Sequence, residues 1–170
     1  MATHVLVLPY PAQGHINPAL AFANRLASMS LSVTMLITTD LINKATVSSQ
    51  SSSVSIACIS DGKESVEGVE SFGAYFKRLK AVLSANLAEF IDHNPAKLLV
   101  YDSTMPWAMD LARPQSLLCA PFFTTSAAVS AIFYHLKYGG LKYPYEECEE
   151  VRLPSLPCLG GKDLPLSLSL

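Results

Sequence analysis

Five short apolar runs, at residues 5–8, 33–38, 54–59, 98–101 and 120–123, do most to limit what this chain can fold into. They are too short for helices, several are rich in β-branched residues, and they lack sustained polar alternation, so they read as strands covered on both faces. Helical patterns fill most of the gaps. Asn17 can cap a helix with Pro18 at its first position, after which Leu20, Ala23, Leu26 and Ala27 share a face. Phe72, Phe76, Leu79, Leu83, Leu87 and Phe90 recur every three or four residues, and Val82 and Ile91 widen that stripe into a long amphipathic helix. Pro106 opens a shorter helix, and Ser126 can cap another running toward Lys137. Strands alternating with helices predict an α/β fold, a doubly wound parallel sheet with helices on both faces. Residues 48–53 form a polar connection. Residues 139–170 are rich in Pro and Gly without a usable period, which predicts one α/β domain over 1–138 and an irregular tail over 139–170.

The chain has 170 residues, half of them apolar, enough for a domain that buries roughly 70% of its unfolded surface. A charged fraction of 15% and a formal net charge of -2 supply no basic field for nucleic acid or an anionic membrane. Cys58, Cys119, Cys148 and Cys158 form no C-x-x-C pair, and the first two fall in or beside runs that read as buried strand, so reduced core thiols are expected. Pro9 and Pro11 interrupt the apolar run after Val5, unlike a secretory leader, and a cytoplasmic protein is the default expectation. Residues 117–134 approach the length of a minimal membrane span. Pro121 and the hydroxyls of Thr124, Thr125 and Ser126 split that stretch into strand, turn and helix.

The chemistry is expected where open α/β sheets keep it, in the crevice beyond the carboxyl ends of the strands. His15 follows the first strand in a Pro/Gly turn, just before the expected helix, which makes it a candidate general base; the alternative is a solvated loop histidine. In the common doubly wound order the first strand lies beside the run at 98–101, so His15 and Asp102 would face each other at the switch point. A carboxylate bonded to one imidazole nitrogen fixes the tautomer and stabilises the cation formed when the other nitrogen takes a proton. Asp102 can alternatively cap the helix ahead of Pro106. Thr124, past the next strand, would border the same crevice or simply close a strand end. His4, His93 and His135 read as structural. Metal-ligand spacings, a G-x-S-x-G elbow, G-x-G-x-x-G and G-x-x-x-x-G-K-[ST] are all missing from the sequence.

Taken together, P-Y-P-A-Q-G-H-I-N-P-A-L at 9–20, L-L-V-Y-D-S-T-M-P-W-A-M-D-L-A at 98–112 and A-P-F-F-T-T-S-A-A-V at 120–129 strongly resemble the plant family 1 UDP-glycosyltransferases. I-S-D-G at 59–62, Y-H-L-K-Y-G-G-L-K at 134–142 and L-P-C-L-G-G-K-D-L-P at 156–165 extend the likeness along nearly the whole chain. The resemblance implies the N-terminal half of a GT-B fold, a Rossmann-like domain that binds the acceptor, with a second domain for the UDP-sugar. It implies an inverting, metal-independent transfer, with glucose the expected sugar and a phenolic or flavonoid a representative small-molecule acceptor. His15 then corresponds to the base and Asp102 to its carboxylate. Gly14 would let the turn approach the donor, Thr124 would contact the transferred sugar or its phosphate, and Trp107 would line the acceptor pocket or pack in the core.

Departures from the family pattern shape the remaining expectations. The family's tryptophan-bearing box for the nucleotide sugar has no counterpart, Trp107 being the one tryptophan. The chain by itself is therefore expected to transfer little sugar, to meet UDP-sugar only with a donor domain supplied, and to associate through exposed cleft surface. Ser30 stands where relatives often end a helix with Gly, and Pro114 restricts Arg113. The alternatives are a non-catalytic small-molecule-binding or regulatory module that pairs with an intact glycosyltransferase, and an independent flavodoxin-like binding domain.

Overall fold

The computed structural model describes residues 2–39, 53–63, 70–141, 150–161 and 164, with Phe72 described in its backbone only. Residues 48–52 of the expected polar connection and Cys148 lie outside them. The chain divides into two compact units, Met1–Thr124 and Thr125–Leu170.

The first unit is a five-stranded sheet of β1 (His4–Leu8), β2 (Ser32–Thr38), β3 (Val54–Ile59), β4 (Leu98–Asp102) and β5 (Leu118–Phe122). The order is β3-β2-β1-β4-β5 and every pairing is parallel. All five expected strands form. The fifth starts two residues earlier than its apolar run, because Leu118 pairs with Leu98 at the sheet edge although its side chain is exposed. Alternate residues of each strand feed two cores. Val5, Val7, Val33, Met35, Ile37 and Val100 meet Ile16, Ala19 and Ala23 of α1 (Gln13–Ser28) on one face. On the other, Leu6, Leu8, Leu36, Leu99 and Tyr101 meet Leu79, Leu83, Leu87 and Ile91 of α2 (Phe72–His93) and Ala108 and Ala112 of α3 (Trp107–Ala112). Helices on both faces make the sheet doubly wound, as the alternation of patterns required.

Several local expectations need correction. Asn17 does not cap α1, and Pro18 lies inside the helix. The Ala12 carbonyl accepts from the backbone N–H groups of both His15 and Ile16, at 2.9 and 3.0 Å, so the helix starts at Gln13 and His15 occupies its first turn. Pro18 then removes the donor that would have reached the Gly14 carbonyl, while Asn17 accepts from the Gln13 side-chain amide at 2.9 Å. Arg113 stays helical before Pro114 (φ -55, ψ -48), and the chain tightens into a 3₁₀ turn over Arg113–Gln115. Cys58 is exposed, because β3 is an edge strand of the described sheet; Cys119 is partly buried, and both thiols are free.

A buried anchor ties α2 to the loop after β3. Asp61 is buried, its carboxylate accepts from the Lys63 N–H at 3.1 Å, and its carbonyl accepts from the Arg78 guanidinium. Arg78 also pairs with Glu70 at 2.9 Å. Gly62 in this loop has φ +76, and a Cβ there would come within 2.9 Å of Val82.

The second unit contains α4 (Ala127–Lys137), capped by the Ser126 hydroxyl as expected, and the antiparallel pair β6 (Glu150–Val151) and β7 (Leu159–Gly160). Ile132 of α4 packs with Val151, Leu153 and Leu164. By packing, α4 thus groups with the tail, whereas composition grouped it with the sheet, and two short strands pair within a stretch that looked irregular. Gly139 closes α4 at φ +78, a left-handed conformation that suits glycine. Among the described residues no helix is long and apolar enough to cross a membrane.

Candidate active site

The order of strands brings distant residues together. Leu8, the last residue of β1, pairs with Tyr101, which puts the exit of β1 beside Asp102 at the end of β4. Asp102 in turn pairs with Phe122, so Thr124, two residues further on, leaves the sheet beside the same crevice. The His15 Nδ1 lies 2.7 Å from the Asp102 Oδ2 and 2.9 Å from the Thr124 Oγ1. Asp102 is 1% exposed and His15 25% exposed, so the carboxylate is held in the interior and the imidazole reaches the surface.

Asp102 meets donors at both oxygens. Its Oδ1 accepts from the Thr104 N–H at 3.0 Å and from the Thr104 hydroxyl at 2.7 Å. One oxygen thus organises the turn ahead of α3, and the other faces the imidazole. Pro106, rather than Asp102, stands at the helix cap position. A carboxylate oxygen can only accept, so Nδ1 carries the imidazole proton and donates it, which leaves Nε2 with its lone pair. No hydrogen bond to Nε2 is formed among the described residues. A buried carboxylate behind Nδ1 with a bare Nε2 in front is the arrangement of a general base.

The other expected residues separate. Gly14 directly precedes His15, and a Cβ on it would meet no atom within 4 Å, so this approach to His15 is open. Trp107 is partly buried against the core formed by α2 and α3, which matches the packing reading of that residue. Two residues near the imidazole escaped the sequence analysis. The Tyr10 ring lies 5.1 Å from that of His15 and stacks on Phe76 at 6.0 Å. Tyr75, edge-on to Phe76, has its hydroxyl pushed above the ordinary tyrosine range by burial and then by its hydrogen bond with Tyr10. The other is Thr104, for which the D-x-T spacing was an available signal, since Asp side chains commonly bond the backbone two residues on. Tyr10 had only its place inside P-Y-P. Among the described residues no cluster of three or more His, Cys, Asp or Glu is spaced to hold a metal ion.

The fold and this site define a Rossmann-like α/β protein with an imidazole–carboxylate pair at the switch point of its sheet. No protein-family model matches the chain. Mogroside I-E synthase of Siraitia grosvenorii is 43% identical over 167 residues, 96% of this chain and 36% of its own length. UDP-glycosyltransferase 74E1 of Arabidopsis thaliana is 38% identical over 172 residues, 96% of this chain and 38% of its own. Among solved structures, Os79 from O. sativa in complex with U2F and trichothecene superposes with a TM-score of 0.72 at 33% identity, covering 83% of this chain and 34% of that one. Phytolacca americana UGT2 has the same fold, with a TM-score of 0.74 at 22% identity over 95% of this chain and 40% of that one. Along nearly its whole length the chain is similar to plant UDP-glycosyltransferases, and it spans a little over a third of the length of the relatives it matches.

Proposed function

We propose that this chain is the acceptor-binding part of a UDP-sugar-dependent glycosyltransferase, in which His15 is the general base for a hydroxyl or carboxyl of a small-molecule acceptor. The observation that carries the reading is the 2.7 Å contact between the His15 Nδ1 and the buried Asp102 carboxylate, with Nε2 left bare. Nε2 takes the acceptor proton, the freed oxygen attacks the anomeric carbon of the UDP-sugar, and the bond from that carbon to the diphosphate breaks with inversion. UDP leaves with the electron pair. Asp102 stabilises the imidazolium formed on the way.

Gly14 leaves room for the donor beside the base. Thr124 accepts from the Nδ1–H and keeps its own hydroxyl hydrogen for the transferred sugar. Trp107, packed as it is in the core, supports the acceptor side at most through the position of α3. Glucose is the proposed sugar, and the relatives' names suggest the range of acceptors: one is a flavonol 7-O-beta-glucosyltransferase of Arabidopsis thaliana, 40% identical over 92% of this chain. The UDP-sugar is a co-substrate, and the scheme needs no other cofactor or metal. Exposed Phe123, next to Thr124 at the mouth of the cleft, is the apolar side chain through which the chain would associate. Free thiols at Cys58, Cys119 and Cys158 fit a cytoplasmic setting.

The test is transfer from UDP-glucose to a panel of flavonols and simple phenols by a protein in which this chain is joined to a nucleotide-sugar-binding half. His15→Ala is expected to lower kcat by about 10² to 10⁴ while acceptor binding persists. Unchanged turnover in His15→Ala would remove the base from the scheme.

A further inference from the structure

We infer that Thr104 is a positioning residue for the His15 base, acting through Asp102. The inference rests on the base reading above and extends it to a residue that does not touch the imidazole.

Asp102 lies at the carboxyl end of β4, where its side chain has one torsion about Cβ–Cγ free to swing the carboxylate plane. The two Thr104 bonds converge on one oxygen, the backbone N–H at 3.0 Å and the hydroxyl at 2.7 Å. The other oxygen is thereby turned toward the His15 Nδ1 at 2.7 Å. A single backbone donor would leave the plane free to rotate about that contact, and a second donor from another direction fixes it. The hydroxyl bond is the shorter of the two, as O–H···O bonds are beside N–H···O bonds. The geometry of the acceptor oxygen thus sets the direction in which Nδ1–H donates, and with it the direction in which Nε2 faces.

Thr104 is itself exposed, so its side chain can be changed without opening a hole in the core. Thr104→Val keeps the shape and the backbone bond and deletes only the hydroxyl. Thr104→Ser keeps the hydroxyl. The readout is nitrogen and proton NMR of the His15 ring in the chain as it stands, which needs no sugar transfer, so its outcome is separate from that of the transferase reading.

In the wild type the ring is expected as the Nδ1–H tautomer with a slowly exchanging downfield Nδ1–H signal. Thr104→Val is expected to lose or broaden that signal and to shift the tautomer ratio toward Nε2–H by about threefold or more. Thr104→Ser is expected to restore both, while Asp102→Ala marks complete loss of the pair. A Thr104→Val spectrum matching the wild type, or a Thr104→Ser spectrum as perturbed as that of Thr104→Val while the other amide signals keep their native positions, would overturn the assignment.

Discussion

At the scale of single residues, the division of labour within Asp102 explains why a carboxylate at this place can serve structure and chemistry together. One oxygen is used by Thr104 and the other by His15, so neither role is taken at the other's expense. Backbone strain is also a residue matter. Ser30 follows α1 at φ 63, a conformation that costs a residue with a Cβ about 1–2 kcal/mol. Ser30→Gly is expected to raise stability by about 0.5–1 kcal/mol, the relief of that strain less the greater chain entropy of glycine, measured by urea unfolding. The position stood out through the family resemblance, since relatives often end a helix there with Gly. The sequence did not point to Tyr10, whose place against His15 depends on Phe76 and Tyr75 arriving from α2, and no local pattern encodes that approach.

Elements were legible where burial enforces a period. The strands at the centre of the sheet and the Leu79, Leu83, Leu87 and Ile91 stripe of α2 form where expected because each has a single apolar solution. Phe76 lies on the same stripe yet is partly exposed, since it stands near the helix start, where it meets Tyr10 rather than the sheet. Boundaries were less legible. Pro18 signalled a helix start, but the Ala12 carbonyl had already closed the first turn, and tertiary packing of Ile16 and Ala19 outweighs the bond that proline removes. The loop after β3 is fixed by its contact with α2. Gly62→Ala is expected to destabilise the first unit by about 1–3 kcal/mol, because it adds left-handed strain to a 2.9 Å approach to Val82. A thermal midpoint unchanged by that substitution would mean that the loop does not pack on α2 as described.

For the whole molecule, the order of strands matters more than any one of them. His15, Asp102 and Thr124 are far apart in sequence and meet because β1 lies between β2 and β4, with β5 next to β4. That meeting was inferable from the alternation of strands and helices; the grouping of α4 with the tail was not, since it rests on the packing of Ile132 against Val151 and Leu153. The same fold sets the depth of the thiols. Cys58 is exposed, while Cys119 is partly buried and its thiol is pushed above the usual value by burial, so it holds less thiolate at any given pH. Iodoacetamide at mildly alkaline pH is expected to label Cys58 before Cys119, and mass mapping of the labelled peptides checks the order. The most direct measurement for the account as a whole is a double-mutant cycle on sugar transfer, in a protein that joins this chain to a nucleotide-sugar-binding half. If His15 and Asp102 act as one unit, each single change, His15→Ala or Asp102→Asn, lowers kcat by about 10² to 10⁴, and the double change costs no more than the larger single one. Losses that multiply in the double variant would show that the two residues act separately, and would contradict the pairing on which the proposed mechanism depends.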